Sequence, residues 1–245
     1  MAIRSVESRC PARAAEAAEL AVTAGAVHTD DPILPGEYRI ILFEDREELW
    51  DIHTRRHGMP LSFRALDHRV GAGNLSHKQP IGKAIGPKAK SVIDATAGFG
   101  HDASLLACMG WRVTAIERDA FLAAAVQLSL LDAARCEGLR VMLEGRLCVR
   151  HGDATTMLPG MAADVVYLDP MFVGRRKRSA LPRKPAQTLQ ALVDVGGDDS
   201  LLAAARTCAD RVVVKRPIDG PPLADPNIVF KGRLVRYDVY LGGGR

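Results

Sequence analysis

Short apolar runs alternate with helical segments over the last two thirds of the chain. Each run is rich in β-branched residues, as expected of a buried strand, and a stretch of helix-forming residues separates it from the next. This alternation predicts an α/β fold built on an open, mostly parallel sheet with helices on both faces. The apolar runs are SVIDA, RVTAIE, RLCVR, DVVYLD and RVVVK, and the helical segments include 101–110, 121–136, 187–193 and 200–208.

The C-terminal end of the chain departs from this alternation. Two segments with the composition of strands, Asn227–Lys231 and Val235–Leu241, are separated by little more than Gly232 and Arg233. Strands joined by so short a connection pair as a hairpin. The pattern therefore predicts an antiparallel hairpin at one edge of the sheet.

The N-terminal third has the pattern of a smaller α+β unit. Residues Pro11–Ala24 have a proline near the start, helix formers throughout and Gly25 after the end, which is typical of a short helix. Tyr38–Phe43 and about Leu49–Ile52 have the β-branched and aromatic content of strands.

A glycine-rich stretch separates this unit from the alternating region. Residues 67–87 mix glycines with histidines and cations, a composition typical of a loop. We therefore expect an N-terminal α+β subdomain with its connector over residues 1–82, and a second domain over residues 83–245.

Composition narrows the class of protein without identifying it. The 245 residues are 47% hydrophobic and 25% charged, with a mean hydropathy of -0.01, as in ordinary globular proteins. No apolar run approaches the ~18 to 20 residues that cross a bilayer, and charges interrupt the segment where a secretory signal would lie. We therefore expect a cytoplasmic protein with no membrane association.

The cysteines do not indicate a disulfide framework or a zinc site, and the net charge alone does not indicate a polyanionic partner. The five cysteines are scattered, odd in number and include no C-x-x-C pair, so neither a disulfide framework nor a zinc site is indicated, and no metal is expected. The formal charge of +4 is too small to indicate a polyanionic partner by itself. The distribution of the charges has to decide that question.

A glycine-rich turn after the first predicted strand of the alternating region indicates a ligand site. The strand SVID ends at Asp94, and a helix is predicted to begin after Gly98 and Gly100. Glycines at such a turn let the backbone approach a ligand closely, and free N–H groups at a helix start favour a carboxylate or phosphate. Glu117 follows 23 residues after Asp94, at the end of the next strand, where it can accept both hydroxyls of a ribose. Together these residues predict an adenosine pocket.

The tip of the next strand has two possible interpretations. The sequence His151-Gly152-Asp153-Ala154 follows this strand, and in such folds the tip borders the adenine ring. Asp153 can accept a hydrogen bond from the exocyclic amine of adenine. It can equally be the N-cap of the helix that follows.

An Asp-Pro pair follows the fourth strand, VVYLDPMF, at the edge where open α/β sheets bind their ligands. The lone pair of an aryl amine is delocalised into its ring, so the nitrogen becomes nucleophilic only when acceptors orient its N–H groups. The Asp169 carboxylate and the Pro170 carbonyl are suitable acceptors, and Phe172 can stack on the base. The motif resembles the D-P-P-Y motifs of methyltransferases that act on exocyclic or amide nitrogen, which makes these three residues the candidate catalytic residues.

A dense cluster of cations lies directly downstream. Such a run is usually a solvated surface, but here it follows the predicted base pocket, and phosphate neutralisation requires clustered arginine and lysine. We predict that it contacts nucleic acid and that Lys215 and Arg216, after the fifth strand, extend the same surface. The cations of the run are Arg175, Arg176, Lys177, Arg178, Arg183 and Lys184.

The order of these motifs is similar to that of one family of enzymes. The segment Asp94–Asp102, with the pattern D-x-x-x-G-x-G-x-D, resembles motif I of class I S-adenosylmethionine (SAM)-dependent methyltransferases. Over most of Ser91–Tyr240 the chain resembles the RsmJ family, the guanine-N2 methyltransferases of 16S ribosomal RNA (rRNA). The resemblance rests, in order, on DATAGFGHDASLLACMG, AIERD, VVYLDPMFVGRRKRSAL, RVVVKRPIDGPPLA and KGRLVRYDVY.

The resemblance implies a fold, a reaction and a set of cofactor contacts. The fold is that of class I SAM-dependent methyltransferases, a Rossmann-like, mostly parallel seven-stranded sheet with a terminal antiparallel hairpin. The reaction moves the methyl group of SAM to the exocyclic N2 of a guanine, so 16S rRNA or the small ribosomal subunit is the implied partner. With the predicted adenosine pocket, the expected cofactor contacts are Asp94, Gly98, Gly100, His101, Asp102, Glu117, Arg118, Asp153, Ala154 and Asp169.

The chain departs from the family pattern within the predicted cofactor pocket. The family commonly has arginine at the position of His101 and small hydroxyl residues at the positions of Asp153 and Ala154. The connector is also less rich in glycine and arginine than the corresponding segment of the family.

Three alternatives remain open at this point. The same fold is compatible with transfer to a DNA adenine, another RNA base or a protein glutamine. A ribosome-binding factor that keeps the pocket without catalysis would have a similar sequence. A nicotinamide-dependent oxidoreductase is disfavoured because Ala103 stands at the third glycine position of the dinucleotide-binding pattern. The sequence leaves the target nucleotide and the oligomeric state undetermined.

Overall fold

The computed structural model describes residues 3–34, 37–51, 58–65, 75–170 and 198–242. Within these ranges the chain forms a five-stranded and a seven-stranded sheet with helices packed around them. The strands are β1 (Ile3–Ser8), β2 (Val27–His28), β3 (Glu37–Leu42), β4 (Glu47–Asp51), β5 (Met59–Pro60), β6 (Ser91–Asp94), β7 (Arg112–Glu117), β8 (Leu147–His151), β9 (Val165–Leu168), β10 (Arg211–Pro217), β11 (Ile228–Lys231) and β12 (Val235–Leu241). The helices are α1 (Ala14–Thr23), α2 (Pro80–Ile85), α3 (His101–Cys108), α4 (Ala120–Ala134), α5 (Glu137–Leu143), α6 (Ala154–Met157) and α7 (Asp198–Cys208).

The seven-stranded sheet has the order β11-β12-β10-β9-β6-β7-β8. Strands β6 to β10 are parallel, whereas β12 runs antiparallel to both of its neighbours, β10 and β11. The central strands are apolar along their length because helices cover both faces of the sheet. This arrangement confirms the predicted mostly parallel sheet with an antiparallel hairpin at its C-terminal edge. The helix predicted at 187–193 lies outside the described residues.

The N-terminal sheet has the order β2-β1-β3-β4-β5, with β1 parallel to β2 and β3 and the remaining pairs antiparallel. The predicted helix at Pro11–Ala24 is confirmed as a 3-10 turn, Pro11–Arg13, that continues into α1. The two predicted strands correspond to β3 and β4. Strands β1 and β2 were not predicted, because neither has the apolar density that marked the others.

Buried ion pairs explain the polar sequence of β1 and its neighbour β3. Arg39 on β3 is only 1% exposed. Its guanidinium binds Glu37 at 2.7 Å and Glu7 of β1 at 3.0 Å, and its Nε donates to the Ser5 hydroxyl at 2.9 Å. A buried charge is costly unless it is paired, so the charged and hydroxyl side chains of β1 serve this arginine instead of an apolar core.

Helix α4 joins the two sheets. Phe121 and Leu122, both fully buried, lie in one apolar cluster with Ile40 and Leu42 of the N-terminal sheet. Burial of side chains of this size contributes about 2 kcal/mol each relative to leaving them exposed. The N-terminal sheet is therefore packed on the second sheet through this helix.

A shared carboxylate reinforces the same junction. Glu47 on β4 is 2% exposed and accepts hydrogen bonds from Arg13 at 2.7 Å and from Arg135, at the end of α4, at 3.1 Å. Because Arg13 precedes α1 and Arg135 follows α4, one buried side chain ties together three elements of the fold.

Helix α2 spans the boundary that was predicted between residues 82 and 83. Ile81, Ala84 and Ile85 belong to the apolar core of the seven-stranded sheet, and the helix packs on β11 and β12. Residues on both sides of the predicted boundary therefore pack on the second sheet.

The turn after β6 is tightly packed from the side of α4 and the N-terminal segment. Gly100 has a φ of +72°, in the left-handed region. A Cβ atom at this position would lie 2.7 Å from Val126 Cγ1 of α4 and 3.3 Å from Phe63 Cζ, which follows β5. Both the backbone conformation and the lack of space therefore require glycine here.

Gly100→Ala is expected to lower the free energy of unfolding by about 2 kcal/mol or more, because it combines a left-handed backbone with a contact that is too short. Gly138→Ala in α5 is the matched control, since a Cβ there meets no atom within 4 Å. This control is expected to be neutral or stabilising by up to about 1 kcal/mol. Urea denaturation measures both, and equal losses of stability would contradict the packing argument.

Candidate functional site

The carboxyl ends of β6, β7 and β9 meet at one edge of the seven-stranded sheet. Strand β6 lies between the other two, and the strand order reverses next to it, which opens a crevice at this edge. Asp94 ends β6, Glu117 ends β7, and Asp169 directly follows β9. The structure therefore brings these three predicted residues to a single edge.

The glycine turn between β6 and α3 closes one side of the crevice. Its backbone is held by a hydrogen bond from Ala97 N to Ile116 O of β7, at 3.1 Å. Gly98 has a φ of +55°, also in the left-handed region, and its N–H donates to a Glu117 carboxylate oxygen at 2.8 Å. The turn and the end of β7 thus fix each other, as the predicted adenosine pocket requires.

Glu117 is buried at the centre of this pocket, with 6% exposure. One carboxylate oxygen accepts the Gly98 N–H, and the other accepts the Asp119 N–H at 2.9 Å. Burial raises the pKa of the carboxyl, although these two backbone hydrogen bonds oppose the rise. A carboxylate has about four acceptor positions, so two remain for the hydroxyls of a ribose.

A lysine bridges two carboxylates next to the glycine turn. Lys215 Nζ, on β10, lies 2.7 Å from Asp102 Oδ2 of α3 and 2.9 Å from Asp169 Oδ2. The side chain of Asp169 is 41% exposed, whereas those of Lys215 and Asp102 are more enclosed. The ammonium therefore lies beneath an accessible carboxylate.

The three aspartates of this edge differ in acidity. Burial, reinforced by the Asp102 carboxylate, raises the pKa of Asp94 to about 8. Burial would also raise the pKa of Asp102, but the Lys215 ammonium and the hydrogen bonds to Asp102 outweigh it and hold that pKa below its usual value. Burial raises the pKa of Asp169, and Lys215 opposes this rise. Burial lowers the pKa of Lys215, but the two carboxylates outweigh it and keep the group cationic.

Two tyrosines complete the environment of the lysine. Tyr167 on β9 is fully buried and donates its hydroxyl to Asp102 Oδ2 at 2.6 Å. Tyr237 lies opposite Lys215 in the pairing of β10 with β12. Burial raises the pKa of Tyr167 well above its usual value and that of Tyr237 to about 12, so both phenols stay neutral.

The backbone of Asp169 is anchored to the loop after β6. Its N–H donates to the Thr96 hydroxyl at 2.6 Å, and the Thr96 N–H in turn donates to Asp94 at 3.1 Å. This chain of contacts fixes the start of the Asp-Pro segment against the turn. Pro170 is the last described residue of this stretch, and Phe172 lies outside the described residues.

The other predicted cofactor contacts lie around the rim. His101 is exposed at the start of α3, and Arg118 is exposed after β7. Asp153 is exposed and caps α6, accepting from the Thr155 N–H at 2.8 Å and the Thr155 hydroxyl at 2.7 Å. Of the two interpretations of Asp153, the structure thus shows the helix cap, and Ala154 is the buried first residue of that helix.

The structure contradicts two of the predicted RNA contacts. Arg216 is 2% exposed, and its Nε donates to the Pro221 carbonyl at 3.0 Å, while Lys215 is committed to two carboxylates. We therefore withdraw both from the predicted RNA surface. The cations of the downstream run lie outside the described residues; they are Arg175, Arg176, Lys177, Arg178, Arg183 and Lys184.

Sequence pattern did not reveal the roles of Lys215, Tyr167 and Thr96 in this site. The position of Lys215 follows from a strand register that only the fold shows, because β10 pairs with β9 at Val214 and Leu168. The next residue along the chain is Lys215 after Val214 and Asp169 after Leu168, and parallel register places these two side by side.

Among the described residues, no group of three or more His, Cys, Asp or Glu side chains is arranged to hold a metal ion.

The charges of the site suit SAM as the cofactor. Asp102 and Asp169 share the single ammonium of Lys215, so this group of three side chains keeps one negative charge. SAM has a positively charged sulfonium and a positively charged amino group, whereas nicotinamide dinucleotides carry an anionic diphosphate. An acidic edge of this kind favours the former and disfavours the latter.

Known proteins are similar to this chain over most of its length. A family model described as "Putative SAM-dependent methyltransferase" matches residues 46–242. Ribosomal RNA small subunit methyltransferase J of Aeromonas hydrophila is 38% identical over 243 residues, which cover 94% of this chain and 95% of that protein. The protein of the same name from Pseudoalteromonas atlantica is 42% identical over 195 residues, which cover 74% and 73% of the two chains.

The fold also matches a solved structure over nearly its full length. A SAM-dependent methyltransferase of Neisseria gonorrhoeae aligns with a TM-score of 0.71 at 25% identity, covering 97% of this chain and 95% of that one. The shared fold, the shared cofactor class and the sequence identity all point to one family. The chain belongs to the ribosomal RNA small subunit methyltransferase J family of SAM-dependent methyltransferases.

Proposed function

We propose that this protein transfers the methyl group of SAM to the exocyclic N2 of a guanine in 16S rRNA of the small ribosomal subunit. The observation that carries the proposal is the position of Asp169. Its half-exposed carboxylate follows β9 at the open edge of the sheet, next to the pocket formed by Gly98 and Glu117. The names of the relatives support ribosomal RNA of the small subunit as the substrate. Action on this substrate places the protein in the cytoplasm.

The amine of guanine is a weak nucleophile, so the site has to provide hydrogen-bond acceptors for its N–H groups. The exocyclic amine of guanine shares its lone pair with the ring, and hydrogen bonds to its N–H groups favour the pyramidal nitrogen that can react. Lys215 holds Oδ2 of Asp169, so Oδ1 is the oxygen available to an amine hydrogen. The Pro170 carbonyl is the second acceptor of the motif. Alignment of this kind supplies much of the rate enhancement in group transfer.

Asp169 is also suited to take the proton that the amine loses on methylation. When bound, SAM supplies an electrophilic methyl group on its sulfonium. Burial raises the pKa of the Asp169 carboxyl and hence its proton affinity, while the Lys215 ammonium opposes this rise. A carboxylate with a raised pKa is a stronger base than a free one and takes the proton more readily.

Mass-spectrometric mapping tests whether guanine N2, and not another acceptor, receives the methyl group. Small subunits, naked rRNA, DNA and total protein are each incubated with labelled SAM and the wild-type protein. We expect N2-methylguanine in the rRNA of small subunits or in naked rRNA. Label in DNA or protein alone, or on another RNA base, would refute guanine N2. Binding to small subunits without any transfer would identify a binding factor.

Asp169→Ala is expected to lower kcat/KM for methyl transfer by at least about 100-fold, because it removes an acceptor that acts on the reacting nitrogen. Affinity for small subunits is expected to change little, since the carboxylate makes no favourable contact with phosphate. Radiolabel transfer and filter binding measure the two quantities. Asp45→Ala, at an exposed turn between β3 and β4, is the matched control and should leave both unchanged. Full activity of Asp169→Ala would exclude the proposed site.

Lys215→Met is expected to move the acidic limb of the pH profile of kcat/KM upward by about one to two pH units. The limb reports ionisation of Asp169, whose pKa rises when the neighbouring ammonium is lost, so activity then requires a higher pH. Lys215→Arg keeps the charge and should keep the limb near its wild-type position. A lower kcat at every pH with an unshifted limb would show that Lys215 acts only through the packing of the site.

A further inference from the structure

Three exposed cations lie side by side at the edge of the seven-stranded sheet opposite the candidate site. Lys90 precedes β6, Arg112 begins β7, and Arg146 precedes β8. Their backbones are adjacent, because Arg112 N donates to Lys90 O at 3.0 Å and Val113 N donates to Arg146 O at 2.6 Å. Neighbouring strands are about 4.8 Å apart, so the three side chains start from one closely spaced row. We call this row, with the exposed Lys88 and His77 beside it, the amino-edge patch.

Part of the patch lines a shallow, open depression. A cavity of about 320 Å³ is lined by His77, Lys90 and Arg112 together with the buried Trp111. The His77 ring stacks on Trp111 with centroids 4.6 Å apart, and its Nε2 lies 2.7 Å from the Met109 carbonyl. The wall of the depression is therefore fixed, and its volume is in the range of sites that hold small ligands or single nucleotides, about 300 Å³ and above.

Within the part of the chain that the structure describes, the cations of the patch form no ion pair, although Lys90 lowers the pKa of the Asp164 carboxyl through its backbone N–H and, to a smaller extent, through the charge of its side chain. The carboxylate nearest in the sheet is Asp164, before β9. It accepts from the backbone N–H groups of Lys90 at 2.8 Å and Ser91 at 2.9 Å, and from the Ser91 hydroxyl. No described carboxylate forms an ion pair with the side chains of Lys90, Arg112 or Arg146.

Exposed arginines elsewhere on the surface differ in this respect. Arg46 pairs with Asp45 and Glu48. Arg140 pairs with Glu137 and Glu144, four residues or fewer away on the same face of α5. A row of cations without such partners has charge available for an external anion.

We propose that the amino-edge patch binds the sugar-phosphate backbone of a second segment of the substrate RNA, away from the nucleotide that is methylated. The inference rests on the proposed function, because it takes small-subunit RNA as the substrate. Unpaired, clustered arginine and lysine bind phosphates without regard to base sequence and so position an RNA. An unpaired base of that segment can enter the depression and stack on His77.

The patch and the candidate site are separated by the length of β7. Arg112 and Glu117 are the first and last residues of β7, and five steps of about 3.3 Å place them about 17 Å apart along the strand. A single nucleotide cannot reach both ends. A folded ribosomal RNA is large enough to contact the patch and the candidate site together, whereas a short oligonucleotide that fills only the site is not.

The test compares two double variants with the same change of residue type and net charge. Arg112→Gln/Arg146→Gln removes patch cations, and Arg46→Gln/Arg140→Gln removes paired surface cations. With unmodified small subunits, we expect the patch variant to raise KM by about tenfold and to leave kcat unchanged. We also expect the slope of log KM against log salt to flatten by about 1.5, since each lost phosphate contact contributes about 0.7 to 0.9. The control variant should behave as wild type.

Two outcomes would overturn the inference while leaving the proposed function intact. One is a wild-type KM and salt slope in the patch variant. The other is ultraviolet cross-linking of the patch peptides, in the bound complex, to a ribosomal protein instead of RNA. If the wild-type protein transfers no methyl to small subunits, the proposed function itself fails. The patch is then tested separately by filter binding of both variants to naked 16S rRNA, where unchanged affinity of the patch variant refutes it.

Discussion

The ammonium of Lys215 is the interaction on which the candidate site depends. It binds Asp102 of α3 and Asp169 after β9 at the same time. Without a cation, these two carboxylates would share an enclosed space in which like charges repel strongly. Lys215 is on β10, and β10 pairs with β9. This pairing allows α3, which carries Asp102, and the Asp-Pro segment to lie close together.

The rigidity of the glycine turn comes from outside the methyltransferase sheet. Val126 of α4 and Phe63 of the N-terminal segment leave no room at Gly100. The N-terminal sheet holds α4 through an apolar cluster and through Glu47. The smaller unit therefore supports the cofactor pocket mechanically, in addition to any part it has in recognising the substrate.

Sequence pattern predicted the strands of the second sheet and the edge at which Asp94, Glu117 and Asp169 meet, because parallel strands align their carboxyl ends. It did not reveal on which face of β10 the Lys215 side chain lies. Strand β10 is buried on both faces, so the VVVK run has no polar alternation to show which way each side chain points. Strand β1 was missed for another reason, since its buried Glu7 and Ser5 are balanced by Arg39, a partner 30 or more residues away. Contacts of that kind depend on tertiary structure and leave no local signal.

The shared carboxylate at Glu47 also constrains the order of folding during synthesis. The N-terminal sheet leaves the ribosome first, yet Arg135 follows Glu47 by 88 residues. Until α4 has emerged, Ile40 and Leu42 lack part of the apolar cluster that covers them, and Glu47 lacks one of its two partners. The native packing of the N-terminal third is therefore completed only after Arg135 has been translated.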